Sequence, residues 1–412
     1  MKLATCPMRP TGITWLGQIP ADWDFKRLKY CARAVTDKVD KVPEDRCYIG
    51  LESIESETGR ILEREQPLTV EGGASLFERH DVLFGKLRPY LAKAWHATTA
   101  GACTSELLVM RPTLLEPRYL LYSVLNPSFI QVVDGSTYGA KMPRASWEFI
   151  GNLPQPAPSP PEQKRIADFL DNKLARLDEL ARKKKRQLAL LAEKRQALIS
   201  HVVTHGLNPN AATKPSGLPW LGNIPEHWQV KAVSYVFRLG RGRVISREEA
   251  DANPGPYPVY SSQTENGGVF ASIGTFDFEG DYLTWTTDGA YAGTVFRRSG
   301  RFTCTNVCGT LKPMTPEVNL SFACYAIGLE THRFVRLDIN PKLMNNTMAR
   351  VRFVFPPKEE QDALAEFLDS QLKAIDSVSI KIDRQLGKLR EYRQALITAT
   401  VTGQVIIKEE AA

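Results

Sequence analysis

Two stretches of the chain carry the same hydrophobic period. Positions 170, 174, 177, 181, 184, 188, 191, 195, 198 and 202 alternate steps of four and three and hold Leu, Leu, Leu, Ala, Lys, Leu, Leu, Arg, Leu and Val. Eight of the ten are apolar, which is the spacing of a heptad seam. A second series, Leu368, Leu372, Ile375, Ser379, Ile382, Leu386, Leu389, Arg393, Leu396 and Thr400, is apolar at seven of ten, with arginine again in the eighth place. A narrow apolar stripe needs a partner, and the two stripes match in length and register. The pattern therefore predicts two long antiparallel helices in an intrachain coiled coil, with pairing to a second chain as the alternative. A helix over 170–202 would be about 50 Å long at roughly 1.5 Å per residue.

The stretches before each helix, about 33–155 and 238–355, read differently. Short runs of β-branched and aromatic residues are punctuated by Gly, Pro, Asn and Asp, as in GDYLTWTTDGAYAGTVFRRSGRFTCTN at 280–306, and predict mainly strands and loops with some helix. Each is preceded by a WLG-x-IP-xx-W box, an irregular lead-in whose tryptophans serve as core anchors. HGLNPNAATKPSGLP at 205–219 has the Gly, Pro and Asn content of a linker.

The chain is written twice. Residues 12–32 align without gaps on 217–237, with nine of 21 positions identical, including Trp15/Trp220, Gly17/Gly222, Pro20/Pro225, Trp23/Trp228 and Tyr30/Tyr235. EQKRIADFLDNKLARLD at 162–178 recurs as EQDALAEFLDSQLKAID at 360–376, and RQALI at 195–199 recurs at 393–397. The front motifs lie 205 residues apart and the rear motifs 198, so the first half is seven residues longer between them, and there the similarity collapses. Similar flanks around dissimilar middles imply one scaffold built twice for two different tasks. A tandem duplication whose interiors drifted without purpose is the blander alternative.

At 412 residues, 43% of them hydrophobic, the chain exceeds one ordinary core and predicts at least two domains. The net charge of +7 suits a polyanionic partner without requiring one. Seven scattered cysteines without a CxxC pair, and the lack of an apolar leader or spanning run, point to a soluble protein of the reducing cytoplasm. The sequence contains no GxxxxGK[ST] phosphate loop, no HExxH, and no Asn-Pro-Pro-aromatic or Asp-Pro-Pro-aromatic motif that would hold a flipped base. His201 and His205 do not complete a metal site, and Cys304 and Cys308 read as packed thiols, so no metal and no catalytic residue is expected.

Nucleic-acid recognition needs cations for phosphates and amide, guanidinium or hydroxyl groups for base edges. In the first interior the candidates are Lys86, Arg88, Tyr90 and Lys93 in GKLRPYLAK, and Ser136, Thr137, Tyr138, Lys141 and Arg144 in GSTYGAKMPR. In the second they are Ser261 and Gln263 in YSSQTENGG, Thr286 in TWTTDG, and Lys342, Asn345 and Asn346 in NPKLMNNTMAR. The basic run RKKKR at 182–186 reads as the solvated face of its helix, since its counterpart IKIDR at 380–384 is not similarly basic, with neutralisation of phosphates as the alternative.

The paired WLG-x-IP-xx-W boxes, FGKLRPYLAK, GSTYGAK, the PPxEQxxIAxFLD helix start and the repeated RQALI give the whole of 12–405 a resemblance to specificity subunits of type I restriction-modification systems. The resemblance implies an α+β chain of two mixed, strand-rich target-recognition domains in a pseudo-two-fold arrangement, separated by the two helices. It assigns 1–160 to the first such domain, 161–204 to the first spacer helix, 205–219 to the linker, 220–357 to the second domain, 358–404 to the second helix and 405–412 to a tail. Each domain would read one half of a split double-stranded DNA target. The helices would act as a ruler and dock two methyltransferase subunits, with restriction and translocation subunits beyond them. S-adenosylmethionine, ATP and magnesium would belong to those partners, leaving this chain without a cofactor and without catalysis.

Two departures stand out. The second helix start reads PPKEEQ, with extra sequence between its prolines and Glu-Gln, and GSTYGAK has only a loose counterpart near 337–346. A stand-alone DNA-modifying enzyme, a DNA-binding regulator and a coiled-coil scaffold without a DNA role remain alternatives from the residues alone.

Overall fold

The computed structural model describes residues 7–43, 46–62, 73–139, 141–337, 340–405 and 407. Most of the 405–412 tail, and Cys6, lie outside them. The chain forms two compact units, one of residues 1–185 with 383–412 and one of 186–382. Helices run from Pro160 to His205 and from Lys358 to Val401, so each unit owns part of both.

The first unit opens with a hairpin of Met8–Pro10 and Gln18–Pro20, turned through Gly17 at φ 65°. Asp24–Arg27 then pairs with Pro154–Ala157 just before the long helix begins. Between these lie two four-stranded sheets. One runs Ala32–Val35, Leu107–Pro112, Val82–Gly85, Ala94–His96, antiparallel throughout. The other runs Lys38–Val39, Ala74–Phe77, Gly101–Thr104, Cys47–Ile49, its last pair parallel. Helices Pro117–Val124 and Pro127–Gly135 cover the core, the second started by Pro127 and by Asn126, whose side chain accepts the Ser128 N–H.

The second unit repeats this plan with different residues. Its antiparallel sheet runs Phe237–Arg241, Cys308–Pro313, Tyr282–Thr286, Val295–Arg298. Its other sheet shares a three-strand centre with that of the first unit: Arg301–Cys304 lies between a parallel Tyr257–Tyr260 and an antiparallel Phe278–Glu279. The fourth strand is added on opposite edges, by Lys38–Val39 on the antiparallel neighbour in the first unit and by Val269–Ile273 on the parallel neighbour in the second. The interiors that look unrelated in sequence thus share one antiparallel sheet and one three-strand centre, and differ in the edge strand added to the latter.

The repeated flank motifs meet each other inside each unit. Trp23 is buried and its indole N–H donates to Glu162 Oε2 at 3.1 Å; Trp228 donates to Glu360 Oε2 at 2.9 Å. Gln163, buried beside Glu162, accepts the Glu116 N–H at 2.7 Å and donates to the Pro158 carbonyl at 2.8 Å. Gln361 does the same with the Asn319 N–H at 3.0 Å and the Pro356 carbonyl at 2.8 Å. These bonds correct the expected difference at the start of the second helix: Pro356 is the counterpart of Pro158, both helix starts are equally long, and Ser-Pro-Pro is replaced by Pro-Lys-Glu. Trp220 departs from the anchor expectation, being 42% exposed with its N–H given to Glu330.

Within each unit the two helices run antiparallel. In the first, Leu170 and Leu174 are buried in one core with Leu396, Ile397 and Val401, and Leu177 packs against it. In the second, Leu368, Leu372 and Ile375 share a core with Ile199, Val202 and Val203, with Leu191 and Leu198 at its margin. Ile382 is buried, and Leu188, Leu386 and Leu389 are half-buried. The arginine in the eighth place of each series crosses to an aspartate of the other helix, Arg393 to Asp178 at 2.5 Å and Arg195 to Asp376 at 3.4 Å. The first pair is the more enclosed, because Arg393 also donates to the Glu57 and Thr58 carbonyls while Arg390 grips the Glu57 carboxylate through two bonds of 2.6 Å. No helix among the described residues is long and apolar enough to cross a membrane.

Candidate nucleic-acid interface

The two basic segments of the first interior, some fifty residues apart in sequence, form one loop cradle. After the Val82–Gly85 strand the Lys86 N–H donates to the Glu106 carbonyl at 3.0 Å, and Arg88 N–H to the Pro143 carbonyl at 2.8 Å. Ala145 N–H returns to the Lys86 carbonyl at 2.9 Å, and Gly85 N–H closes the loop on the Lys93 carbonyl at 2.8 Å. Tyr138 and Arg144 exchange backbone bonds of 3.2 and 3.1 Å across the second turn. The backbone is left-handed at Arg88, φ 51°, and at Ala92, φ 47°.

The second interior builds the same cradle bond for bond. Thr287 N–H donates to the Val307 carbonyl at 2.9 Å, Gly289 N–H to Pro341 at 3.0 Å, Leu343 N–H to Thr287 at 2.9 Å and Thr286 N–H to Thr294 at 3.0 Å. Arg336 and Lys342 exchange backbone bonds of 3.0 and 3.1 Å. The left-handed positions are Gly289, φ 92°, and Gly293, φ 88°, where glycine adopts the conformation without a Cβ penalty. Arg336, Pro341, Lys342 and Leu343 are therefore the structural counterparts of Tyr138, Pro143, Arg144 and Ala145, a closer match than the loose one visible in sequence.

On this shared frame the side chains differ. Arg88, Tyr90, Tyr138 and Lys141 are exposed on the first cradle. Lys86 is half-buried. Arg144 is bound through two bonds of 3.0 and 2.7 Å by Glu106, whose carboxyl is held below its ordinary range by those bonds. Lys93 donates to the Leu51 carbonyl at 2.9 Å, and the hydroxyls of Ser136 and Thr137 donate to the Val133 and Asp134 carbonyls at 2.7 and 2.8 Å, closing the end of their helix. These three act in the frame.

On the second cradle Lys342 faces Asp288 at 3.7 Å and Asn346 is exposed, its side-chain oxygen accepting the Thr347 N–H at 2.8 Å. Asn345 donates to the Gly240 carbonyl at 3.2 Å, and its buried oxygen has no hydrogen-bond partner. Thr286 is fully buried, its hydroxyl given to the Tyr291 carbonyl, so it has no surface to offer a base. Ser261 and Gln263 make none of the cradle's backbone bonds: Ser261 accepts from Thr305 at 3.1 Å and from the Cys308 thiol at 3.3 Å, and Gln263 donates to the Val269 carbonyl within its own loop. That loop lies against Arg298, a buried guanidinium stacked 3.6 Å from the Tyr260 ring and bonded to Thr284 at 3.1 Å.

The matching bonds reveal two residues that sequence reasoning passed over. Tyr291 stands where Tyr90 stands, 56% against 52% exposed, and Arg336 stands where Tyr138 does. The available signal was a tyrosine two residues after the left-handed position, in KLRPY and again in TDGAY. Burial pushes the Cys103 thiol up to about 12, and the bond Cys304 shares with Cys308, together with burial, holds Cys304 well above the ordinary thiol range. His201 and His205 stack with ring centroids 5.0 Å apart on the exposed end of their helix. Among the described residues no group of three or more His, Cys, Asp and Glu could hold a metal ion.

The model of the type I restriction modification DNA specificity domain matches residues 225–386. Type I specificity subunit S.MpnORF365P of Mycoplasma pneumoniae is 36% identical over 245 residues, covering 58% of this chain and 84% of that one. S.MpnORF507P of the same organism is 45% identical over 143 residues, covering 33% of this chain, and the chain spans only 39% of its length. Among solved structures, a chain from a study of complex assembly and conformational transition of the type I R-M system has a TM-score of 0.72 at 16% identity, covering 94% of this chain and 99% of that one. The HsdS subunit from Thermoanaerobacter tengcongensis has a TM-score of 0.50 at 17% identity, covering 94% and 98%. At these identities the structures speak for the fold.

Proposed function

Because the chain belongs to the type I specificity subunits, we propose that it is the DNA-recognition subunit of a type I restriction-modification complex, reading a bipartite double-stranded target and directing partner methyltransferase and restriction subunits to it. The observation that carries this reading is the pair of cradles: one backbone frame, held by the same bonds in each unit, presents Arg88, Tyr90 and Tyr138 in one and Gly289, Tyr291 and Arg336 in the other. A fixed frame with exchanged side chains suits two readers of two different short sequences, since cations position on phosphates and planar or hydroxyl groups read base edges.

In this reading residues 1–160 and 220–357 are the two target-recognition domains and the helices of 161–204 and 358–404 the spacer between them. The chain itself does no chemistry. Two methyltransferase subunits bring S-adenosylmethionine, and the restriction subunits bring ATP and magnesium.

The test is a map of methylated adenines in DNA from cells carrying this chain with its methyltransferase. A two-part motif with a fixed unread gap is expected, and a contiguous motif or none contradicts the proposal. Four residues inserted at matched points near Lys184 and Ile382 should change the gap and leave both half-motifs alone, since one turn of B-DNA spans about 34–36 Å.

A further inference from the structure

Of the nine pairs repeated identically between 12–32 and 217–237, most are explained by folding. Leu16/Leu221, Ile19/Ile224 and Trp23/Trp228 are buried, and Gly12/Gly217 and Gly17/Gly222 have left-handed backbones. Tyr30/Tyr235 is not explained in this way. Tyr30 is 63% exposed and Tyr235 80%, at the same place on the short helices Leu28–Cys31 and Val233–Val236. The identity continues one step beyond, to the exposed pair Arg33/Arg238. Every other non-glycine position exposed in both copies of this segment has diverged, Asp22/His227, Asp24/Gln229 and Lys29/Ser234 among them. Exposure alone has let residues change here, so these two pairs answer to something outside the fold.

The charge of the surroundings indicates what that is. In the antiparallel register Arg33 stands directly opposite Arg111, and Arg238 directly opposite Lys312. Like charges facing each other across a strand pair are unfavourable, yet both units keep the arrangement. Arg111 is relieved by Asp81 at 2.8 Å, whereas Arg33, Arg238 and Lys312 form no ion pair among the described residues. An anion would relieve both sites. It must also be the same on both halves, although the cradles differ, and the sugar-phosphate backbone of DNA has that property because it carries no sequence.

We propose that Tyr30 with Arg33, and Tyr235 with Arg238, form two equivalent phosphate-binding surfaces that seat each half of the chain on the DNA backbone independently of sequence. The inference rests on the DNA-recognition reading above and assigns it a backbone contact separate from the cradles. Its test is binding of the full chain to a random-sequence 40-base-pair duplex, followed by fluorescence anisotropy across a potassium chloride series. Arg33→Gln and Arg238→Gln each lower the slope of log affinity against log salt by about one, and together by about two. Tyr30→Ala and Tyr235→Ala weaken binding to similar degrees. None of the four lowers the unfolding temperature, because their side chains are exposed, and the two arginine changes raise it slightly by removing a facing like charge.

An unchanged slope in the double arginine variant, with steep wild-type binding, overturns this inference and leaves the DNA-recognition reading standing. Loss of copurifying methyltransferase with an unchanged slope also overturns it, by making the surface a protein contact. A wild-type chain that retains no DNA overturns both.

Discussion

The cradle of the first unit and that of the second share one set of backbone bonds and almost no side chains. The first carries arginine and alanine at its left-handed positions, the second glycine at both. The first balances its inner cation, Arg144, with Glu106, which reaches over from the neighbouring strand connection; the second balances Lys342 with Asp288 from the turn itself. What is held constant in this chain is the path of the backbone. Side chains on that path have been exchanged freely, down to the means by which the inner cation is balanced. The flanks behave in the opposite way, with Trp, Glu and Gln repeated and bonded alike in both units.

Substitutions separate the two behaviours. The largest effect belongs to the flanks: Trp23→Ala and Trp228→Ala each remove a buried indole and a bond to glutamate, and each should cost about 3–5 kcal/mol in chemical denaturation. Next comes the pair of seam arginines, which are alike in sequence and unlike in setting. Arg393→Ala leaves two carbonyls unbonded and Asp178 with its 2.8 Å pair to Arg60, and should cost about 2 kcal/mol. Arg195→Ala loses one half-exposed pair and should cost less than about 1 kcal/mol.

The cradle turns give smaller shifts of opposite sign. Gly289→Ala meets no atom within 4 Å, so only its left-handed backbone opposes the change, at about 1 kcal/mol. Arg88→Gly relieves that same conformation and should stabilise by about 0.5 kcal/mol while weakening DNA binding. The smallest effect is one of pH. Because bonding to Arg144 lowers the Glu106 carboxyl, its stabilising contribution is present above the ordinary glutamate range and lost as pH falls through the lowered value. Glu106→Gln should therefore flatten that part of an acid-unfolding curve, and the second unit, with Val307 at the equivalent place, offers no matching response.

The long helices, the strand-rich interiors and the duplication were legible because each leaves a period or a word in the sequence. Leu170 and Leu368 announce a seam by their spacing, and Trp23 recurs as Trp228 because each is a buried indole whose N–H reaches the equivalent glutamate, Glu162 or Glu360. The cradles were not legible as a pair. Their frame is made of backbone N–H and carbonyl groups, which every residue but proline supplies, so Arg88 and Gly289 can hold the same bond without sharing a letter. The spacing also drifts, from 205 residues at Trp23/Trp228 through 201 at Tyr90/Tyr291 to 198 at Arg144/Lys342, which hides the alignment just where function sits. Thr286 was named for its hydroxyl, and burial, which a single position cannot show, removes it.

If each cradle reads its own half of a split target, the two halves can be relaxed one at a time. The most direct measurement is a methylated-adenine map for the complex carrying Arg88→Ala with Tyr138→Ala, set beside one carrying Tyr291→Ala with Arg336→Ala. Each double variant is expected to relax one half of the motif, a different half for each, with the other half and the gap unchanged. Relaxation of both halves by either variant, or of the same half by both, would contradict separate reading by the two cradles.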